Sequence, residues 1–311
     1  MSSNIEDGVA QTPHSILLHP WINRLNEVYF RYLFASEERK PLAIDFLSSV
    51  FADKEAICLS GKIVDVKVHT EVPLSTCSQL LTNFLDLEVI SEKDEHVFVA
   101  LMTTPEPVSV KGDLKSFIGD NDLFYCSYLI SRQDHRISDL EPLPEAKPVM
   151  VVNLLQFELH TDREQYHSRY EMRETTTHAL LTDLFSIHHI EIPKCVEGSD
   201  PAKQDSRLRQ WCYYLTGNKN FSLRGEIYDQ LVEADFNFVN DSKLMALYRT
   251  QEDVATRLQG LLTHAWRNGR DEEAEKLFAT ARRLLDSGMS KEQVQQFTEL
   301  PSFLIERISR S

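Results

Sequence analysis

Two apolar runs of strand length, joined by a short polar segment, constrain this chain most. Phe84-Leu85-Asp86-Leu87-Glu88-Val89-Ile90 is followed by Glu92-Lys93-Asp94-Glu95 and then by Val97-Phe98-Val99-Ala100-Leu101-Met102. Runs of this length around a polar turn predict two adjacent antiparallel strands with the turn at 91–96. Asp86 and Glu88 are two apart, so on a strand both side chains leave one face. Two carboxylates on one face suit a hard divalent cation such as Mg²⁺, which prefers oxygen ligands. A solvent-facing Glu88 beside a strand-edge Asp86 fits the same pattern.

The remaining chain divides into a mixed region and a helical one. Apolar residues at 21, 22, 25, 29 and 33 follow helical spacing, and Pro41 opens a second helix to Phe51. Ile63, Val64, Val66 and Val68 mark a strand within 56–72. A helix is expected over Asp113–Arg132. The continuous run Val149–Leu155 reads as a strand buried on both faces. Residues 162–174 read as a polar excursion, and Leu184–Ile192 as a strand. From Ser206 the pattern is helical: 206–216, 223–234, 241–247 and a long charged helix over 251–286, with an apolar stripe of Leu258, Leu261, Leu262, Ala265 and Trp266. Gly288 stops that helix, Ser290–Gln293 is a capping box, and Pro301 opens a last helix. The expected organisation is a frayed N-terminus (1–14), an α/β core (15–205) and a helical C-terminal region (206–311).

Composition excludes several classes. No apolar run approaches the roughly 20 residues of a membrane span. The N-terminus, with Glu6 and Asp7, is not a signal peptide, and the expected location is the cytoplasm. Five cysteines, widely spaced and without a C-x-x-C pair, predict neither a disulfide scaffold nor a zinc ribbon. His188 and His189 point to opposite faces of a strand, and His160, His167 and His178 fall at no metal-ligand spacing. P-loop and Rossmann glycine fingerprints are absent. The formal net charge is −15. Binding to a polyphosphate therefore needs a local basic patch, for which Arg31, Lys40, Lys62, Lys67, Lys111 and Lys115 are candidates. Residues 289–309 have helix-turn-helix spacing without the basic surplus of a DNA-reading unit, which favours a docking or self-association role.

Several segments, in order, resemble the recombination-promoting nuclease and transposase group of the PD-(D/E)XK nuclease superfamily. Asn26-Glu27-Val28-Tyr29-Phe30-Arg31-Tyr32-Leu33-Phe34 is similar to its opening helix, "N-D-x-x-F-K-x-x-F". Pro41–Leu47 is similar to its second helix and Phe84–Leu87 to its strand motif "L-D-I". Val149–Phe157 resembles "I-x-I-L-x-F", Ile190–Lys194 "E-L-P-K", and Ala281–Ile308 the ending "L-L-x-x-G-x-S-x-x-x-I".

The resemblance implies a restriction-endonuclease-like mixed sheet flanked by helices, Mg²⁺ as cofactor, DNA as partner and Asp86 as the strand-motif acid; Glu88, on its face, is the second candidate metal ligand, and Glu27 of the first helix a further candidate catalytic acid. It also implies an "I-E-x-Q" ending on the second hairpin strand, whose Glu binds metal and whose Gln stands near the attacking water. Here Ala100 and Met102 hold those two positions, and Asn121 falls about where an Arg usually precedes the tyrosine pair. The expectation is a divergent, catalytically degenerate member acting by binding DNA or a partner protein. The alternatives are an active Mg²⁺-dependent endonuclease whose acid has moved to Glu88, the nearest, or to Asp113, Asp120, Asp122 or Glu27, and an interaction protein without a nucleic-acid role.

Overall fold

The computed structural model describes residues 19, 21–53, 59–69, 83–107, 113–133, 146–197, 206–267, 271–298, 300, 305, 308 and 309; the side chains of 83, 254, 255, 257–277, 292 and 296 are outside that description. Lys111, Cys58, Cys77, residues 1–14 and most of the expected last helix lie outside the described residues.

Helix α1 (Glu27–Phe34) is capped by Asn26, whose side-chain oxygen accepts from the Val28 N–H at 2.9 Å. A short 3-10 turn leads into α2 (Lys40–Asp53). Strand β1 (Ile63–Val68) pairs antiparallel with β2 (Asn83–Ser91), which pairs antiparallel with β3 (His96–Thr104). Helix α3 (Leu114–Arg132) crosses back, and β4 (Val149–Leu155) adds parallel to β3. β5 (His167–Glu171) and β6 (Phe185–Glu191) follow, β6 parallel to β4 and β5 antiparallel on the outside, and the short α4 (Ile192–Glu197) continues directly from β6. The sheet order is β1-β2-β3-β4-β6-β5.

The 84–102 hairpin forms as its pattern predicts, one strand in from the edge. β4 is buried along its whole length because helices cover both of its faces and parallel neighbours flank it. The polar excursion at 162–174 is corrected: it contains β5. That strand borders solvent along one edge and carries Arg169 and Glu171, which suit an edge and hide the apolar alternation.

One face of the sheet packs on α1, α2, α5 (Arg207–Leu215) and α6 (Glu226–Asn240). Trp211 of α5 lies against Phe34 and Phe46, with ring centroids 5.8 and 5.5 Å away, and donates to Asp45 at 2.7 Å. Leu231 and Phe238 of α6 join the same core. The other face carries α3 alone among the described helices, over Ala100, Met102, Val149, Val151 and Ile187.

The C-terminal helices divide differently from expectation. α7 spans Ser242–Arg267 without a stop at 247, and α8 (Asp271–Asp286) is separate from it. α8 closes with Gly288 at φ +88°, where a Cβ would be strained, and with the Gly288 N–H on Leu285 O (2.9 Å) and the Met289 N–H on Leu284 O (3.2 Å). The reciprocal capping box forms at the start of α9 (Lys291–Thr298): the Gln293 N–H reaches Ser290 Oγ at 3.3 Å, and the Ser290 N–H reaches Gln293 Oε1 at 3.0 Å. α8 and α9 share a small cluster of Ala281, Val294, Leu300 and Ile305. None of the described helices is long and apolar enough to cross a membrane.

Candidate active site

The hairpin register places Asp86 directly opposite Ala100 and Glu88 opposite Phe98, with Phe84 opposite Met102. Paired residues share a face, so Asp86, Glu88, Ala100 and Met102 all project toward α3. Asp86 is 2% exposed, and Ala100 and Met102 are buried. Neither Ala100 nor Met102 offers an oxygen ligand or a strong hydrogen bond.

The partner of Asp86 comes from the far end of α3. Arg132 Nη1 donates to Asp86 Oδ2, while the rest of the Arg132 side chain is 43% exposed and lies over the Tyr128 ring at 5.5 Å. Burial pushes the Asp86 carboxyl above its ordinary value, against the pull of Arg132 and His69. α3 follows β3 and must recross the sheet to start β4 parallel to β3, so its last turn returns toward the Asp86 level. The same helix stacks Tyr125 on Phe84 at 4.9 Å.

Glu88 is held by imidazoles. His69 Nε2 lies 3.0 Å from Glu88 Oε2, and His96 Nδ1 lies 2.6 Å from Oε1; Lys67 Nζ is 3.9 Å away. Burial opposes ionisation, but the contacts to His96 and His69 and the Lys67 charge leave the Glu88 carboxyl below the usual carboxylate range. His69 and His96 flank the ends of β1 and β3, and sequence reasoning did not connect either with Glu88. Their signal was position, one residue outside β1 and the first residue of β3.

Of the other candidate acids, Glu27, Asp113 and Asp122 are bonded to other side chains or to backbone. Glu27 lies buried on α1, where Arg31 Nε donates to Oε1 at 3.1 Å and Gln251 Nε2 to Oε2 at 2.9 Å. Arg31 also donates to the Phe84 carbonyl at 3.0 Å, which ties α1 to β2. Asp113 caps α3 by accepting from the Ser116 N–H at 3.0 Å. Asp120 is exposed. Asp122 is buried and takes Asn153 Nδ2 at 2.9 Å and His189 Nε2 at 2.5 Å.

His188, on the opposite sheet face from His189, joins another buried chain. Its Nδ1 is 3.0 Å from His167 Nε2, and His167 Nδ1 is 2.8 Å from Asp53 Oδ2. His167 and His188 pair through adjacent strands, a proximity that their spacing in sequence does not reveal. Cys126, Cys195 and Cys212 are buried free thiols.

The residues present do not fit a Mg²⁺ site. Asp86 is already paired with a guanidinium and its cross-strand neighbour is a methyl group, while Glu88, on the same face, is held by His69 and His96. Mg²⁺ keeps several waters and demands octahedral geometry; the buried Ala100 and Met102 contribute no polar group to hold them, and Asn153, beside Met102, is bonded to Asp122. Among the described residues, no group of three or more His, Cys, Asp or Glu is arranged to hold a metal ion.

The family model for PD-(D/E)XK nuclease family transposases matches residues 24–257, most of the chain. No curated protein and no solved structure matches it.

Proposed function

The chain belongs to the PD-(D/E)XK nuclease family transposases, and from that premise we propose that it is a catalytically degenerate member that acts by binding. One observation carries the reading: the acid of the hairpin faces Ala100 and Met102 and is neutralised by Arg132. Metal-assisted phosphodiester hydrolysis needs a cation to activate water and to stabilise developing charge. One buried, paired carboxylate does not assemble that. An active enzyme with a relocated acid is disfavoured by the engagement of Glu27, Glu88, Asp113 and Asp122 in other contacts, and Asp120 lies exposed on α3.

DNA is the first ligand proposed, on family membership. The charges available to phosphate at this end of the sheet are the exposed part of Arg132 and Lys67, the latter 50% exposed. Such binding is metal-independent and salt-dependent. Fluorescence anisotropy with a labelled duplex at low salt is expected to give a dissociation constant on the order of 10⁻⁵ M. The value should be the same in EDTA and in Mg²⁺, and Lys67→Glu should weaken it several-fold. Binding that requires Mg²⁺ would contradict the degenerate reading.

A protein partner is the second reading. The net charge of −15 opposes DNA over most of the surface, and α3 exposes Phe117, Phe124 and Tyr128 along one face. Absence of duplex binding at low salt would move the assignment to this reading.

A further inference from the structure

We infer that Arg132 is the resident cation of the hairpin site: its guanidinium takes the charge position at Asp86 that a divalent ion would need, and closes the site to such ions. This rests on the degenerate-site reading and goes beyond the loss of Ala100 and Met102 as ligands. A buried carboxylate needs a counter-charge to remain ionised. Arg132 delivers it from α3, which the core fixes through Cys126 and Leu129 packed beneath the helix. The Tyr128 ring under the guanidinium holds the side chain further, through a cation–π contact. With Asp86 only 2% exposed, an incoming hydrated ion would have to displace Arg132 before reaching an oxygen.

The inference separates two defects that ligand loss alone would merge. Ala100 faces Asp86 across the strands, where paired Cβ atoms lie about 4.5–5.5 Å apart, so a glutamate there could share a cation with Asp86. With Arg132 in place, that glutamate meets the guanidinium instead. Restoring Ala100→Glu and Met102→Gln without touching Arg132 should therefore leave metal binding absent.

Mn²⁺ titration by isothermal calorimetry tests this on the full chain, with circular dichroism confirming folding. The wild type and Ala100→Glu should show no saturable site. Ala100→Glu/Arg132→Met should bind one Mn²⁺ at least tenfold more tightly than Ala100→Glu, and Asp86→Asn in that background should abolish it. Should Arg132→Met unfold the chain, Arg132→Gln keeps a polar contact to Asp86 and serves in its place. Stoichiometric Mn²⁺ binding by the wild type, lost with Asp86→Asn, would overturn the inference. So would equal affinity of Ala100→Glu with and without Arg132, or a folded double variant that binds nothing. DNA cleavage by the wild type through an acid other than Asp86 would instead remove the degenerate reading and leave the Arg132 assignment standing.

Discussion

Asp235→Ala should cost about 3–5 kcal/mol of stability, because it strands a buried arginine. Arg24 of the segment before α1 is 1% exposed and donates to Asp235 of α6 through Nε (3.2 Å) and Nη2 (2.5 Å). Burial works against the Arg24 charge, and the Asp235 carboxylate overcomes it. Tyr29 and Tyr214 also donate to Asp235, and Arg24 Nη1 reaches the Tyr214 carbonyl at 3.3 Å. The network therefore joins α1, α5 and α6 at one carboxylate. Urea unfolding at neutral pH measures the loss. The double replacement Arg24→Met/Asp235→Leu should be less damaging than Asp235→Ala, since it removes both charges and not one. A single variant within about 1 kcal/mol of wild type would show that Arg24 finds water or another acceptor, against the packed arrangement described.

Acid should destabilise the protein through His188. Its ring is fully buried against Phe51, at 6.0 Å between centroids. Burial, with the charges of His167, Arg169 and His189, pulls its pKa down from 6.5 to about 3. The sign follows from linkage. The folded ring stays neutral down to about pH 3, whereas the unfolded ring takes a proton below 6.5, so the unfolded state binds more protons in that window and stability falls with pH. The contribution present above 6.5 is lost progressively toward 3, on the order of 3 kcal/mol between about pH 7 and about pH 4. Urea midpoints at those two pH values measure it. His188→Asn, which cannot take the proton, should flatten that part of the dependence. An unchanged slope in the variant would assign acid sensitivity to other groups.

What could be read from the chain depended on whether the deciding contact was local. The hairpin was legible because apolar runs of matched length around a polar turn leave one register that buries both strands, and that register alone sets Asp86 against Ala100. β4 was legible because a strand buried on both faces is a nearly continuous apolar run, Asn153 being its single polar residue. β5 was not, because His167-Ser168-Arg169-Tyr170-Glu171 forms an outer strand whose polar side chains pair with one another and with β6. The pattern suggests separate helices over 241–247 and 251–286, whereas Gln251 and Glu252 continue α7 and bond to Glu27 and Asn26, contacts that no local pattern carries. At the site, the residues on β2 and β3 came from the sequence and their partners did not. Arg132 is 46 positions from Asp86, and only the return of α3 across the sheet brings it there.

The hairpin site, as proposed, does not perform metal-dependent hydrolysis. The most direct measurement is cleavage of supercoiled plasmid by the purified protein in Mg²⁺ and in Mn²⁺, beside an Asp86→Ala control. The wild type is expected to show no cleavage above the control in either metal. Robust cleavage by the wild type, abolished by Asp86→Ala, would contradict it and make the chain an active endonuclease.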